Sequence, residues 1–174
     1  MVNVYKCEIC EEGYIGDEKP THCPFCGAHI EYIVLVKDYV KTELLELSDI
    51  TRKNILAAID LEAGNAEFYF CAAKNADNVS DATTFKRLAK IESEHASTLA
   101  KLIPDEKGSE ILRDKDTCHI KNVGNLKESY ERETNAIKHY SQFLAETEEP
   151  RVIEVFEAII DIEKDHLTLT EGRF

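Results

Sequence analysis

Apolar residues between Ser48 and the C-terminus recur at alternating steps of three and four, the period of one face of an α-helix. Four helices are predicted. The first runs from about Asp49 to Ala76. The second starts after Ser80, a good N-cap, and ends before Pro104. The third spans about Asn125 to Glu146. The fourth starts near Pro150, which suits a first helical position, and runs almost to the end. Residues 104–124, with Pro104, Gly108 and Gly124, form a long crossover between the second and third helices; this acidic stretch either docks a partner or is solvated loop. Ahead of Ser48 the pattern changes. Gly13, Gly16, Pro20, Pro24 and Gly27 punctuate a turn-rich stretch, and Tyr32-Ile33-Val34-Leu35-Val36 reads as a strand. The boundary is placed between a small module over residues 1–38 and a helical unit over 39–174.

Each helix carries one seam of core-facing residues. The first reads Ile55, Ile59, Glu62, Ala66, Tyr69, Ala73, and the second Phe85, Leu88, Glu92, His95, Leu99, Leu102. The third reads Leu126, Tyr130, Glu133, Ile137, Tyr140, Leu144, and the fourth Val152, Phe156, Ile159, Glu163, His166, Thr170. Every seam is broken by a glutamate, and two of them also by a histidine. The seams are copies of one another. Glu133 stands 71 positions after Glu62, and the same offset carries Tyr69 to Tyr140, Phe85 to Phe156, Glu92 to Glu163 and His95 to His166 without a gap. Two copies of one helical hairpin, packed about a pseudo-two-fold axis, place the matched residues around one centre.

Four carboxylates in a bundle core need neutralising. A single unpaired buried charge costs several kcal/mol, and like charges add repulsion. Two divalent cations balance four glutamates, and neutral imidazoles add ligands without adding charge. Glu-x-x-His puts both side chains on one helical face, one turn apart. A glutamate from each of two helices plus Glu-x-x-His from each of the other two is the ligand set of ferritin-like dinuclear carboxylate bundles. One Glu-x-x-His alone is weak, since both residue types are usually on the surface; the repeated set in apolar seams is strong. Tyr69 and Tyr140, two turns beyond Glu62 and Glu133, are placed either to hydrogen-bond the carboxylates or to fill the core as aromatics with a wet end.

The N-terminal module holds a second pattern. Cys7-Glu8-Ile9-Cys10 is followed, after a gap of twelve residues, by Cys23-Pro24-Phe25-Cys26-Gly27. Two Cys-x-x-Cys turns supply four thiolates for a tetrahedral metal, iron or zinc. A unit below about 40 residues usually needs such a staple to fold. The other two cysteines, Cys71 and Cys118, are expected to be buried apolar residues or free thiols. His22, beside Cys23, is read as a surface histidine, and His139, beside the ligand seam, as structural.

Composition narrows the partners. The chain of 174 residues carries a net charge of −13, with 43% hydrophobic and 32% charged residues. An acidic surface repels phosphate backbones and anionic lipid, so neither nucleic acid nor membrane is an expected partner. No apolar run is long enough to span a bilayer, and the N-terminus lacks the pattern of a signal peptide, so a cytoplasmic setting is expected.

These residues together resemble the rubrerythrin family over nearly the whole chain. Tyr5 to Cys10 and Cys23 to Ala28 resemble its short rubredoxin module. Glu62, Glu92, His95, Glu133, Glu163 and His166 resemble its di-iron set. The fold implied is mainly α, a ferritin-like four-helix bundle preceded by a rubredoxin-like β/turn knuckle. The module comes first here, an order that resembles the reverse rubrerythrins. Glu11 stands where a small glycine is usual after the first knuckle. Ala136 stands where commoner members carry an extra glutamate, linked in the family to iron movement. The resemblance implies an oxidative-stress peroxidase with two iron ions in the bundle and one iron in the cysteine site, the latter passing on electrons from a rubredoxin or NAD(P)H-dependent reductase. A small module is not expected to approach its own di-iron centre closely, and the resemblance implies a head-to-tail homodimer in which one copy's cysteine site serves the partner's bundle. The alternatives are a ferroxidase or oxygen reductase using the same six residues, and a non-enzymatic zinc-knuckle interaction module.

Overall fold

The structure, a computed structural model, describes residues 1–42, 46–106 and 109–174. Residues 43–45 of the linker and 107–108 of the crossover, Gly108 included, lie outside the described residues. Three short strands come first: β1 (Asn3–Cys7), β2 (Gly13–Gly16) and β3 (Ile33–Leu35), in the antiparallel order β2-β1-β3. The strand expected over Tyr32 to Val36 is trimmed at both ends by 3-10 turns, Ile30–Tyr32 and Val36–Asp38. Four helices follow: α1 (Asp49–Lys74), α2 (Val79–Leu102), α3 (Asn122–Ala145) and α4 (Pro150–Thr170). Mainly α, with a small sheet before a four-helix bundle, is the architecture the periodicity predicts. Among the described residues no helix is long and apolar enough to cross a membrane.

The helix ends follow local chemistry. Ser48 caps α1, its hydroxyl accepting from Thr51 N–H at 3.3 Å. The cap of α2 is Asn78, not Ser80: its Oδ1 accepts from Asp81 N–H at 2.9 Å, and the helix starts two residues early. Asn is at least as good a cap as Ser, and sequence alone does not rank two adjacent candidates. The helix α3 also starts early, at Asn122, taking Gly124 into its first turn. Pro150 opens α4 as expected.

The bundle consists of two hairpins, α1 against α2 and α3 against α4, as the repeat requires. One seam needs correction. On α3 the buried positions are Asn122, Asn125, Leu126, Ser129, Glu133, Ala136, Tyr140 and Phe143, whereas Tyr130, Ile137 and Leu144 are half-buried on the flank. A period of 3.6 makes adjacent residues share a face, so the helix's rotation decides between them. The helix runs unbroken past Glu133 through the fully buried Ala136.

The crossover lies on its own α1. Leu112 N–H and Lys115 Nζ both donate to the Glu67 carboxylate, Lys74 pairs with Asp114 at 2.6 Å, and Ser109 bonds Asp60. Cys71 and Cys118, expected as separate buried or free thiols, are joined as a disulfide across 47 positions. Neither lies near the other in sequence, so only the crossover's path brings them together.

The small module packs on the bundle. Tyr5, Ile9, Ala28 and Ile33 form one apolar cluster with the four knuckle cysteines and with Ile91, Ala158 and Ile162 of the bundle. Lys101 Nζ donates to Cys10 O at 2.6 Å, and Arg151 Nη2 donates to Glu8 O and Ile9 O at 2.7 and 3.0 Å. The module, not expected to approach its own di-iron centre closely, is thus seated directly on its own bundle. Two cations grip knuckle carbonyls that a turn leaves unpaired, while Ile91 and Ile162, partners in the repeat, form the apolar seat.

Candidate metal centres

The four sulfurs of the module converge. Cys7 Sγ lies 3.8 Å from Cys26 Sγ, and Cys10 Sγ lies 3.7 Å from Cys23 Sγ. A tetrahedron with metal–sulfur bonds of about 2.3 Å has edges of about 3.8 Å, so these thiols fit one tetrahedral cation. The two turns match: Glu11 N–H donates to Cys7 O and Gly27 N–H donates to Cys23 O, each at 3.0 Å. Gly27 has φ +86° and Glu11 φ +65°, both left-handed. Glu11 thus adopts the glycine conformation rather than changing the turn, at the conformational cost of a side chain there. The thiols divide their protons. Hydrogen bonding to Cys10 holds Cys7 and Cys23 below the usual thiol range, while bonding to Cys23 and to Cys10 pushes Cys10 and Cys26 above it.

In the bundle, Glu62 from α1, Glu92 and His95 from α2, Glu133 from α3, and Glu163 and His166 from α4 meet in a closed core. Two donor groups form: Glu62, Glu92, Glu163 and His95, and beside it Glu92, Glu133, Glu163 and His166. His95 Nδ1 lies 3.3 Å from Glu163 Oε1, 3.4 Å from Glu92 Oε2 and 3.8 Å from Glu62 Oε2. His166 Nδ1 lies 3.0 Å from Glu163 Oε2, 3.1 Å from Glu92 Oε1 and 3.9 Å from Glu133 Oε1. Glu92 and Glu163 therefore present one oxygen to each group, whereas Glu62 and Glu133 each serve one. Sequence matching by repeat identifies these residues but does not say which are shared; that follows from the order in which the helices surround the centre.

The donor set fits two divalent cations. Both oxygens of Glu92, one each of Glu62, Glu133 and Glu163, and Nδ1 of His95 are buried without a hydrogen-bond partner. Buried polar atoms without partners are rare, and this many facing one another is the arrangement of ligands awaiting positive charge. Burial, then the charge of Glu92, pushes Glu62 well above the usual carboxylate range; burial, then the charge of Glu163, does so for Glu133. Burial also opposes ionisation of Glu92 and Glu163, but the flanking imidazoles outweigh it and hold both low. Burial likewise opposes charge on the imidazoles, and the carboxylates win: Glu163, Glu62 and Glu92 raise His95, and Glu163 and Glu92 raise His166 to about 10.

The surrounding bonds fix these groups. His95 Nε2 donates to Cys26 O at 2.8 Å, which turns Nδ1 toward the carboxylates. Tyr69 donates to Glu133 and pairs with Ser129 at 2.8 Å, while Tyr140 donates to Glu62. Of the two placements open to the tyrosines, the carboxylate bond is the one found, and it crosses between the hairpins. Burial, then the adjacent glutamate, raises both phenols, so they remain donors. Ser129 and the Cys26 carbonyl were not singled out in the sequence. The signal for Ser129 was its repeat partner, Ala58: a polar residue stands in the second copy where the first has an apolar one. The carbonyl left no trace in the sequence. His139 is exposed, its Nδ1 bonded to Asn135 O and its ring against Phe143.

Comparison with known proteins places this geometry. The family model described as Rubrerythrin matches residues 53–171. Reverse rubrerythrin-1 of Clostridium acetobutylicum is 30% identical over 110 residues, which cover 57% of this chain and 61% of that protein's length. No solved structure matches the chain. The family model spans more than half of the chain, takes in all six Glu/His residues of the buried centre, and is joined to a four-cysteine knuckle that precedes the bundle: the chain belongs to the rubrerythrin family.

Proposed function

We propose that this chain is a non-haem di-iron peroxidase that reduces hydrogen peroxide in oxidative-stress defence, with electrons relayed from iron held by Cys7, Cys10, Cys23 and Cys26. The observation that carries the reading is the hydrogen bond from His95 to the Cys26 carbonyl, which joins a sulfur ligand's own backbone to a residue of the buried centre in one chain. Bound iron supplies the chemistry: two electrons at the Glu/His centre which, with two protons, take hydrogen peroxide to two waters, and single electrons at the cysteines.

The protein's own residues perform the rest. Glu62, Glu92, His95, Glu133, Glu163 and His166 would hold the two cations, Glu92 and Glu163 belonging to both donor groups. Tyr69 and Tyr140 hold their protons at Glu133 and Glu62, beside the reacting centre. Ile91 and Ile162 seat the knuckle on the bundle and so hold the Cys26 carbonyl against His95. Both cysteine turns touch the bundle, the first through Lys101 and Arg151 and the second through His95, and reduction from outside would come from a rubredoxin or an NAD(P)H-dependent reductase. This contact lies within one chain; a head-to-tail homodimer is a separate part of the proposal, and sedimentation at micromolar concentration reads whether it forms.

The test is anaerobic reduction followed by one equivalent of hydrogen peroxide, with the knuckle's visible absorption followed in time. Reoxidation should be fast in the wild type and lost in Glu92→Ala, whose knuckle has its normal colour before reduction but does not regain it after peroxide. Equal reoxidation rates in the two would refute the relay. A second reading, ferroxidase or oxygen reductase, is favoured by one observation: α3 passes Ala136 without a break, so the six-residue set stands without a further carboxylate. Much faster reoxidation by dioxygen than by peroxide would select it.

A further inference from the structure

A third cluster of donors lies outside both centres. His22 and His29 face each other across an isolated antiparallel bridge in the knuckle module, their rings 4.9 Å apart and nearly perpendicular. Asp165, on the exposed side of α4, reaches toward both. Its Oδ2 lies 2.7 Å from His29 Nε2 and 3.4 Å from His22 Nε2. The three donor atoms all lie within 4.8 Å of one another. Their side chains are 50%, 30% and 51% exposed for His22, His29 and Asp165, so solvent has access to the point where they converge.

We infer that His22, His29 and Asp165 form a third metal site, which takes one first-row divalent transition-metal cation at the surface between knuckle and bundle. Two imidazoles and one carboxylate on one side of a cation, with the other side open to water, are a donor set for zinc or ferrous iron; magnesium and calcium prefer oxygen alone. The bridge holds the two histidine backbones opposite each other, so both rings start from a fixed spacing. A hydrogen bond between Asp165 and one histidine would use one nitrogen; here both Nε2 atoms point at the same carboxylate oxygen. Two of the three, His22 and Asp165, also line a cavity of about 450 Å³ whose walls include Cys23, Gly27 and His166.

The experiment uses full-length protein with iron already in both resident centres, titrated with Zn²⁺ by calorimetry, while total iron and the knuckle's absorption are monitored. One further equivalent of Zn²⁺ should bind without release of iron. His29→Ala and Asp165→Asn should each weaken that binding at least tenfold, as should the more exposed His22→Ala, whose fold is least at risk. His119→Ala, removing a surface histidine paired with a single carboxylate, Glu128, should leave it intact. The inference is overturned if the iron-loaded wild type takes up no further zinc, or if the three variants bind it as tightly as the wild type.

Discussion

Gly27→Ala probes the seating of the knuckle on the bundle. Gly27 has φ +86°, where an L side chain is strained by about 1–2 kcal/mol. A Cβ there also stands 3.0 Å from Ile162 Cγ2 and 4.0 Å from Ile91 Cγ2. Carbon atoms normally approach to about 3.5–4.0 Å, so Ile162 or the knuckle must move. Overpacking of this kind costs about 1–3 kcal/mol. The two effects together predict a loss of about 2–5 kcal/mol, or on the order of 10 °C in the melting temperature of a chain this size. The parts separate by partner. Backbone strain belongs to the knuckle alone, whereas the clash exists only if the knuckle sits on α4. Ile162→Ala removes Cγ2 and should relieve the second part; Ile162→Val keeps Cγ2 and should not. In a double-mutant cycle read by thermal unfolding of iron-loaded protein, Gly27→Ala and Ile162→Ala should couple by about 1–3 kcal/mol, with the double variant more stable than the sum predicts. Additivity within about 0.5 kcal/mol would refute the seating and, with it, the path from Cys26 to His95.

Three further outcomes follow from the same geometry. Tyr69→Phe strands Glu133 and Ser129 while Tyr140→Phe strands only Glu62, so each should cost about 1–3 kcal/mol in denaturant unfolding, with Tyr69→Phe the larger; equal or negligible losses would count against the two bonds. Glu149 accepts from Ser48 N–H and Thr51 Oγ1, and these bonds outweigh burial to lower its pKa from 4.5 to about 2. A lowered folded-state pKa adds stability above the unfolded value and loses it on acidification, so the melting-temperature gap between wild type and Glu149→Gln should be full above pH 5 and close as pH falls from 4.5 toward 2. The disulfide between Cys71 and Cys118 closes a loop of 47 positions, worth up to about 4 kcal/mol by chain entropy. Cys118→Ser should lower the melting temperature under oxidising conditions and match the wild type in excess reductant.

Much of the site could be read from residue order because it depends on spacing alone. Glu92 and His95 share a face on any α-helix, and a repeat that carries Glu62 to Glu133 and His95 to His166 without a gap forces two hairpins to present the same chemistry. The Cys-x-x-Cys turns are local in the same way. The tetrahedral approach of sulfurs from two of them needs only a hairpin between, which the antiparallel sheet provides. The buried seam of α3 was half legible, because Tyr130 and Ser129, or Ile137 and Ala136, satisfy the helical period equally well. Only packing against the other helices turned Ser129 and Ala136 inward and left Tyr130 and Ile137 on the flank.

What the sequence by itself determined is which residues are chemically matched: six ligands in two copies, four cysteines in two turns, and the helices that carry them, all set by periods of a few residues. The tertiary structure decided which of them meet. It made Glu92 and Glu163 the shared carboxylates, aimed His95 at the Cys26 carbonyl, laid the crossover on α1 so that Cys71 reaches Cys118, and brought Asp165 up to two histidines more than 130 positions away. The physical reason is range. Backbone geometry imposes a period within one element, whereas the rotation of a helix and the seat of a module depend on the summed packing of surfaces that no local rule connects.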